Sequence, residues 1–241
     1  MKVIITRPSP DAEDFAALIA GAGVEAILSP VMAIRAREGE VDLEGVGALA
    51  FTSANGVRAF AAKTPSRALA VFAVGAATAA AARAAGFQRV EAADGDVDSL
   101  AALIAKSKPS SPVLHLAGSE RAGDLVAALG GKGVSARRAV IYDALECAAL
   151  APAAAAALRE NPADCAVVFF SPRSARLFLS QARKEGLSDR LADATALCHS
   201  AAVAAAAGDA CWARIVIADA LNAEAMARLV AVEAAAGGRH D

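Results

Sequence analysis

Short apolar runs alternate with segments of helical period along the chain. The first run, Val3–Thr6, is typical of a buried strand because it is apolar, brief and followed by an Arg-Pro pair. Phe15, Leu18 and Ile19 then fall on one face of a helix, and Val24–Leu28 forms the next apolar run. The chain is therefore predicted to open with a β-α-β unit.

The same alternation continues toward the C-terminus. A stretch of extended character covers Val31–Arg37. The later predicted strands are Ala48–Thr52, Ala70–Val74, Phe87–Ala92, Val113–Leu116, a weak edge strand at Val134–Arg138, Cys165–Phe170, Thr195–His199 and Arg214–Ala218. Helical segments separate them, and residues 237–241 are predicted to form a tail. Strands that alternate with helices predict an α/β protein with parallel sheets.

A permuted internal repeat indicates two lobes. Residues 51–60 match residues 169–178 in the spacing of Ser, Arg and Phe. The first lobe would take its β-α-β unit from the N-terminus and three strands from after residue 165, so the chain must cross between lobes twice. We expect two flavodoxin-like lobes with parallel five-stranded sheets, joined by a two-stranded antiparallel β linker. The expected boundaries are 1–30 plus 148–241 for lobe 1, 38–138 for lobe 2, and 31–37 and 139–147 for the linkers.

The second crossing contains Tyr142, the only tyrosine of the chain. If the two crossings lie side by side, Tyr142 is expected at the mouth of the cleft between the lobes.

Candidate binding residues follow the predicted strands. Ligands collect at the carboxyl ends of the strands in open parallel sheets, where helix N-termini offer free N–H groups to anions. The candidates at these ends are Thr6, Arg7, Thr52, Ser53, Ala54, Asn55, Gly75, Thr78, Gly118, Ser171, Arg173 and Ser200. Helix capping explains any single one of them. Their recurrence in two lobes favours a two-walled site for an anionic ligand.

Composition and charge indicate which classes of binding partner the chain can have. Hydrophobic residues make up 56% of it, a figure that alanine inflates, and the net charge is -2. There is no global basic field for nucleic acid, so local groups must hold any anion. No apolar run approaches membrane-spanning length and none is long enough for a signal peptide, so we expect a soluble cytoplasmic protein without a membrane partner.

Several common chemistries are absent. The four cysteines show no close pairing, as is typical of buried thiols in a reducing compartment. The chain has no Gly-rich dinucleotide motif after its first strand, no Walker A motif and no nucleophile elbow. His115 is expected in the core, His199 stays a candidate at a strand end, and His240 lies in the tail. The pattern is poor in nucleophiles and metal ligands, so it indicates a reaction that depends on positioning and predicts no metal.

Several sequence features together carry a resemblance to a known family. They are Ile5-Thr6-Arg7-Pro8, Phe51-Thr52-Ser53-Ala54-Asn55-Gly56-Val57, Ala73-Val74-Gly75-Ala76-Ala77-Thr78-Ala79, Leu114-His115-Leu116-Ala117-Gly118, Tyr142 and Phe169-Phe170-Ser171-Pro172-Arg173-Ser174-Ala175. In order and spacing, along nearly the whole chain, they resemble uroporphyrinogen-III synthase.

The resemblance implies a two-lobed fold and a cofactor-free cyclisation of hydroxymethylbilane in tetrapyrrole (haem, sirohaem, cobalamin) biosynthesis. The hydroxyl of the first pyrrole leaves as water, the azafulvene attacks ring D, and a spiro intermediate recloses with that ring inverted. The resemblance also implies that Tyr142 is the proton donor. Helix N-termini with Arg7, Arg35, Arg37 and Arg173 would complement the eight carboxylates of the substrate. We expect a monomer.

This sequence departs from the family pattern at several positions. Ala117 stands where members often have an arginine, Ser200 replaces a glycine, and Val203 is the counterpart of Thr78. Ala220-Leu221-Asn222 stands where a Pro-Thr pair is frequent. Contacts from the C-terminal part of lobe 1 are therefore supported by fewer matching residues.

Two other functions are compatible with parts of the pattern. A non-catalytic, two-lobed protein that binds small anions would explain the cleft, but it gives no reason for a lone tyrosine at the crossing. A nucleotide-binding α/β enzyme is disfavoured by the missing phosphate loop.

Overall fold

The computed structural model describes residues 1–120 and 123–237. His240 and all but the first residue of the predicted tail lie outside the described residues. The strands are β1 Lys2–Ile5, β2 Glu25–Leu28, β3 Met32–Ala36, β4 Ala48–Phe51, β5 Ala70–Ala73, β6 Val90–Ala92, β7 Val113–Gly118, β8 Ala136–Glu146, β9 Cys165–Phe169, β10 Thr195–Cys198 and β11 Arg214–Ile217. The helices are α1 Asp11–Ile19, α2 Ala54–Lys63, α3 Ala76–Ala84, α4 Val97–Ser107, α5 Leu125–Gly130, α6 Pro152–Glu160, α7 Pro172–Lys184, α8 Ala201–Ala207 and α9 Ala223–Gly237.

Contacts divide the chain into two units. Unit 1 consists of Met1–Ala33 and the described residues from Leu145 onward, and unit 2 consists of the described residues of Ile34–Ala144. The boundary falls once inside β3 and once inside β8. None of the helices within the described residues has the length and apolarity needed to cross a membrane.

Unit 1 is built on a five-stranded sheet in the order β11-β10-β9-β1-β2. All four neighbouring pairs are parallel, as expected for the first lobe. Val3 and Ile5 of β1 point to the same face, where they pack with Phe15 of α1 and Met226 of α9. The apolar face of α1 that the sequence predicts is thereby buried against the sheet.

Unit 2 contains a six-stranded sheet in the order β3-β8-β7-β4-β5-β6. The pairs from β8 to β6 are parallel. Both faces of β4 are covered: Leu49 and Phe51 join one apolar cluster, while Ala48 and Ala50 join another. Burial on both faces explains why this strand is apolar throughout instead of alternating.

Five strands were predicted for this sheet, but it has six. The predicted weak edge strand Val134–Arg138 and the predicted linker 139–147 are largely one continuous strand, Ala136–Glu146. In the strand order β8 lies between β7 and β3, and its residues 136–142 pair with β7. The count was five because the stretch 31–37, which contains β3, was assigned to the linker with 139–147 instead of to the sheet.

Two buried polar side chains connect separate segments of the chain within the units. In unit 2, Nε2 of His115 on β7 lies 3.1 Å from the hydroxyl oxygen of Thr52, and Nδ1 of His115 is buried without a hydrogen-bond partner. In unit 1, the fully buried Gln181 on α7 donates to the carbonyl oxygens of Val31 (3.3 Å) and Cys147 (2.7 Å). His115 therefore belongs to the core, as predicted.

Burial sets the charge of His115. Burial is the largest cause that lowers the pKa of His115 to about 4, and the positive charge of Arg138 lowers it further. The ring is therefore neutral at neutral pH. In the unfolded chain an imidazole has a pKa of about 6.5, so the unfolded state binds more protons between these two values.

We expect His115 to make the fold acid-sensitive. Stability from its neutral form is complete above about pH 6.5 and is lost as the pH falls toward 4, which amounts to about 2–3 kcal/mol by pH 4.5. The check is urea unfolding of the native protein and His115→Gln at pH 7.5 and 4.5. The glutamine does not titrate and keeps an amide near Thr52, so the variant should lose less unfolding free energy on acidification. Equal losses in the two proteins would contradict the assignment.

Candidate active site

Three neighbouring strands of unit 2 end in small polar turns. The order β7-β4-β5 places Gly118-Ser119, Thr52-Ser53 and Val74-Gly75 along one edge of the sheet. This juxtaposition follows from parallel pairing, because all carboxyl ends then face the same way. The predicted binding residues of this part of the chain are thus brought together.

The individual side chains on this edge have defined partners. Ser53 caps α2, since its hydroxyl accepts the N–H of Asn55 at 3.1 Å. The side-chain oxygen of Asn55 accepts from Arg58 at 2.6 Å. Gly75 is the N-cap of α3, and Thr78 in its first turn is buried. Ser53 therefore serves the helix-capping role that the sequence left open.

Tyr142 lies on β8 at the same edge of unit 2. Its side chain is only 8% exposed, and its ring packs beside Gly118 and Gly56. The carbonyl oxygen of Tyr142 accepts the N–H of Ser119 at 3.0 Å. The candidate catalytic tyrosine and the candidate binding residue Gly118 are thus in direct contact.

Asp143, the residue after Tyr142, forms an ion pair with Arg37 that the sequence did not predict. Arg37 donates to the carboxylate of Asp143 through Nε (3.2 and 3.1 Å) and Nη2 (2.8 Å). This pairing lowers the pKa of the Asp143 carboxyl, as does a hydrogen bond from Ser119. Arg37, which was expected to meet substrate carboxylates, is therefore engaged by a carboxylate of its own chain. Its spacing of 106 residues from Asp143 leaves no local signal in the sequence.

Unit 1 has a corresponding edge. The order β10-β9-β1 aligns the turns His199-Ser200, Phe170-Ser171 and Thr6-Arg7. The side chain of Thr6 is fully buried, and its hydroxyl donates to the carbonyl oxygen of Val168 at 2.7 Å. The structure thus places Thr6 as a tie between neighbouring strands.

Ser171 and Ser200 cap helices. Ser171 accepts the N–H of Ser174 at 3.0 Å at the start of α7, and Ser200 accepts the N–H of Val203 at 3.3 Å at the start of α8. Arg173 lies in the first turn of α7. Both serines again serve the alternative capping role.

Arg7 is held by two groups that sequence reasoning did not single out. Its Nη2 donates to the carboxylate of Asp11 at 2.8 Å, and its guanidinium carbon lies 4.3 Å from the ring centre of Phe170. An i,i+4 spacing from Arg7 could have revealed Asp11. Phe170 itself belonged to the repeat, but its cation–π contact needed the pairing of β1 with β9.

His199 stacks near the same aromatic ring. Its ring centre lies 5.2 Å from that of Phe170. Burial lowers the pKa of His199, the charge of Arg7 lowers it further, and a hydrogen bond to the backbone of Leu221 opposes both. Arg7 is therefore the cation of this cluster, while the imidazole favours its neutral form.

These two edges offer backbone N–H groups, hydroxyls and guanidinium groups, which suit carboxylates. Within residues 1–120 and 123–237, no three His, Cys, Asp or Glu side chains come together in a group that could hold a metal. The side chains on these edges also include hydroxyls, among them the phenol of Tyr142.

Comparison with solved structures gives two informative likenesses. The uroporphyrinogen-III synthetase of Helicobacter pylori has a TM-score of 0.67 and 18% identity, with 96% of this chain and 99% of that chain covered. A mutant uroporphyrinogen III synthase of Thermus thermophilus has a TM-score of 0.54 and 18% identity, with 97% and 99% covered. At this identity the likenesses show the fold alone, an α/β fold with two sheets. A comparison with curated protein sequences gave no match.

The sequence itself matches a family model. The model described as "Uroporphyrinogen-III synthase HemD" matches residues 13–228, which cover most of both units. This match does not favour the non-catalytic alternative. The resemblance predicted from the sequence is thereby confirmed: the chain belongs to the uroporphyrinogen-III synthase family.

Proposed function

We propose that this chain converts hydroxymethylbilane to uroporphyrinogen III without a cofactor. Water is lost from the first pyrrole, ring D is inverted through a spiro intermediate, and the product enters tetrapyrrole biosynthesis. The observation that carries the proposal is the family match over residues 13–228. In this reaction the protein acts as a hydro-lyase.

We propose Tyr142 as the acid that assists departure of the hydroxyl. A phenol ordinarily carries its proton at neutral pH. The burial of Tyr142 and the neighbouring turn at Gly118-Ser119 support this role. The buried His115 on β7 has a pKa lowered to about 4, so it is neutral at neutral pH and is not a cationic acid there.

Carboxylate binding is assigned to the two strand-end edges. Arg7 and Arg173 would supply charge, while helix-start N–H groups would supply further donors. The remaining residues proposed for substrate binding are Thr52, Ser53, Ala54, Asn55, Gly75, Thr78, Gly118, Ser171 and Ser200, with Thr6 supporting the turn that carries Arg7. Their place at strand ends supports the assignment.

We further propose that each unit is a flavodoxin-like lobe and that 31–37 and 139–147 are the antiparallel linkers, with the lobes at 1–30 plus 148–241 and 38–138. Two hydrogen bonds support the antiparallel direction. The N–H of Arg37 donates to the carbonyl oxygen of Ile141 at 2.9 Å, and the N–H of Cys147 donates to that of Val31 at 3.0 Å. As the residue number falls on one stretch, it rises on the other.

A cytoplasmic monomer is the proposed working form. All four cysteines are free, and burial raises the pKa of Cys165 and of Cys198 to about 11, which keeps these thiols protonated. Free cysteines are typical of a reducing compartment. Light scattering after size-exclusion chromatography would measure the oligomeric state.

The product isomer tests the function directly. With freshly generated hydroxymethylbilane, the protein should yield uroporphyrinogen III, whereas the substrate alone closes to the type I isomer. The products are oxidised and their isomers separated by chromatography. Type I product alone, from a protein shown to be folded, would reject the proposed activity.

Removal of one hydroxyl tests Tyr142. Tyr142→Phe should lower kcat by roughly 10²–10⁴-fold, the usual contribution of general acid catalysis. KM should change little, since the ring stays in place. Steady-state kinetics and a urea unfolding curve are the measurements. Full activity of the variant would exclude the role as proton donor.

Loss of one charge tests Arg7. Arg7→Gln should lower kcat/KM by roughly 10–10²-fold through a higher KM, because a hydrogen bond to a charged group contributes about 1.5–3 kcal/mol. Lys2→Gln is the matched control, since it removes the same charge at the opposite end of β1. Equal effects of the two substitutions would show general electrostatic attraction instead of a specific contact.

A further inference from the structure

The pairing of β7 with β8 is irregular beside Tyr142. One register holds up to the pair Ala117–Val140, but Gly118 then pairs with Tyr142 instead of Ile141. One residue of β8 is thus inserted, which makes a β-bulge. Because successive side chains of a strand point to opposite faces, this insertion reverses the face that Tyr142 presents at Gly118.

Gly118 has no side chain at the place where the ring of Tyr142 lies. A Cβ added to Gly118 would be 2.7 Å from Cε2, 2.8 Å from Cζ and 3.1 Å from the hydroxyl oxygen of Tyr142. Carbon atoms that are not bonded keep about 3.5–4.0 Å apart, so any larger residue must displace the ring. The backbone of Gly118 is not in the left-handed region, so its conformation alone does not require glycine.

The far edge of the ring faces a second glycine. A Cβ on Gly56 would lie 3.7 Å from Cε1 of Tyr142, which is ordinary contact. The ring thus has close neighbours on both edges, and it is tight only toward Gly118. Gly118 is also close to the hydroxyl oxygen of Tyr142, which is proposed to carry the reacting proton.

The backbone on either side of this contact is fixed. Ser119 donates its N–H to the carbonyl oxygen of Tyr142, and Arg37 holds Asp143, the next residue of β8. Arg138 donates to the carbonyl oxygen of Gly118. With both strands tied, the chain cannot easily shift to make room for a larger residue at position 118.

We propose that Gly118 is a positioning residue for Tyr142: its missing side chain leaves the space that the phenol occupies, and the bulge in β8 turns the ring into it. This inference rests on the proposed function, in which Tyr142 is the proton donor. It assigns to Gly118 an effect on kcat through Tyr142, separate from the substrate contact proposed for the turn that Gly118 begins.

The single tyrosine of the chain permits a direct readout. Protein labelled with 3-fluorotyrosine has one ¹⁹F resonance, which reports the surroundings of Tyr142. We expect Gly118→Ala to shift this resonance. Gly130→Ala is the matched control, because it adds the same methyl group in unit 2 where no atom lies within 4 Å. It should leave the resonance unchanged.

Kinetics of unlabelled proteins separate positioning from substrate contact. Gly118→Ala should lower kcat by roughly 10–10²-fold with KM within about twofold, since small misplacement of a catalytic group costs about this much. In a Tyr142→Phe background the same substitution should change kcat less than about twofold, because its effect passes through the phenol hydroxyl. A raised KM with unchanged kcat and an unshifted resonance would overturn the proposal.

Failure of the proposed function would be distinguishable. If Tyr142→Phe keeps full activity, Tyr142 is not the proton donor, while the ¹⁹F shift still decides whether Gly118 sets the position of the ring. If Gly118→Ala does not fold, Gly118→Ala with Tyr142→Leu decides the matter. Restored folding supports the collision with the ring, and continued failure to fold overturns it.

Discussion

Parallel strand pairing is the constraint on which both units depend. The carboxyl ends of parallel strands lie at one edge of their sheet, and most of these strands are followed by a helix, so N–H groups of helix starts lie at that edge. These groups need acceptors, and Ser53, Ser171 and Ser200 supply them in the free protein. Each cap satisfies one N–H and leaves others of the first turn for a ligand. A serine at such a position is therefore evidence for a helix start, and its capping role is compatible with the anion binding proposed above.

Local patterns predicted the elements of this chain, whereas contacts between distant strands were predicted least well. Phe15 and Ile19 identify their own helix because buried residues of a helix recur every three to four positions. The permuted repeat placed 31–37 beside 139–147, but it did not show that β3 is a sixth strand of the second sheet. At the strand ends, Thr6 was placed correctly, yet its hydroxyl donates to a carbonyl oxygen 162 residues away. Arg37 was expected to bind substrate and is paired with Asp143. Spacing places a residue at an edge, and tertiary pairing decides what its polar atoms contact.

Burial and a neighbouring arginine lower the pKa of both His115 and His199, so these histidines favour their neutral forms. His115 is buried beside Arg138, and His199 is partly buried beside Arg7; in each case burial is the larger cause of the lowered pKa and the arginine adds to it. An imidazolium would compete with the arginine for carboxylates and would repel it. With neutral imidazoles, the positive charge beside these two histidines is that of Arg138 and Arg7.

The pairing of Arg7 with Asp11 restricts this arginine more than it neutralises it. The carboxylate cancels part of the charge and accepts from Nη2, while the face of the guanidinium lies on the ring of Phe170. A guanidinium has five N–H donors in a rigid plane, so donors remain after one ion pair is formed. The partners also restrict a side chain that would otherwise lose much rotamer entropy on binding. For a substrate with many carboxylates, a fixed direction of the donors is worth more than additional mobile charge, since a mobile cation would attract any carboxylate of the substrate while a fixed one selects its orientation.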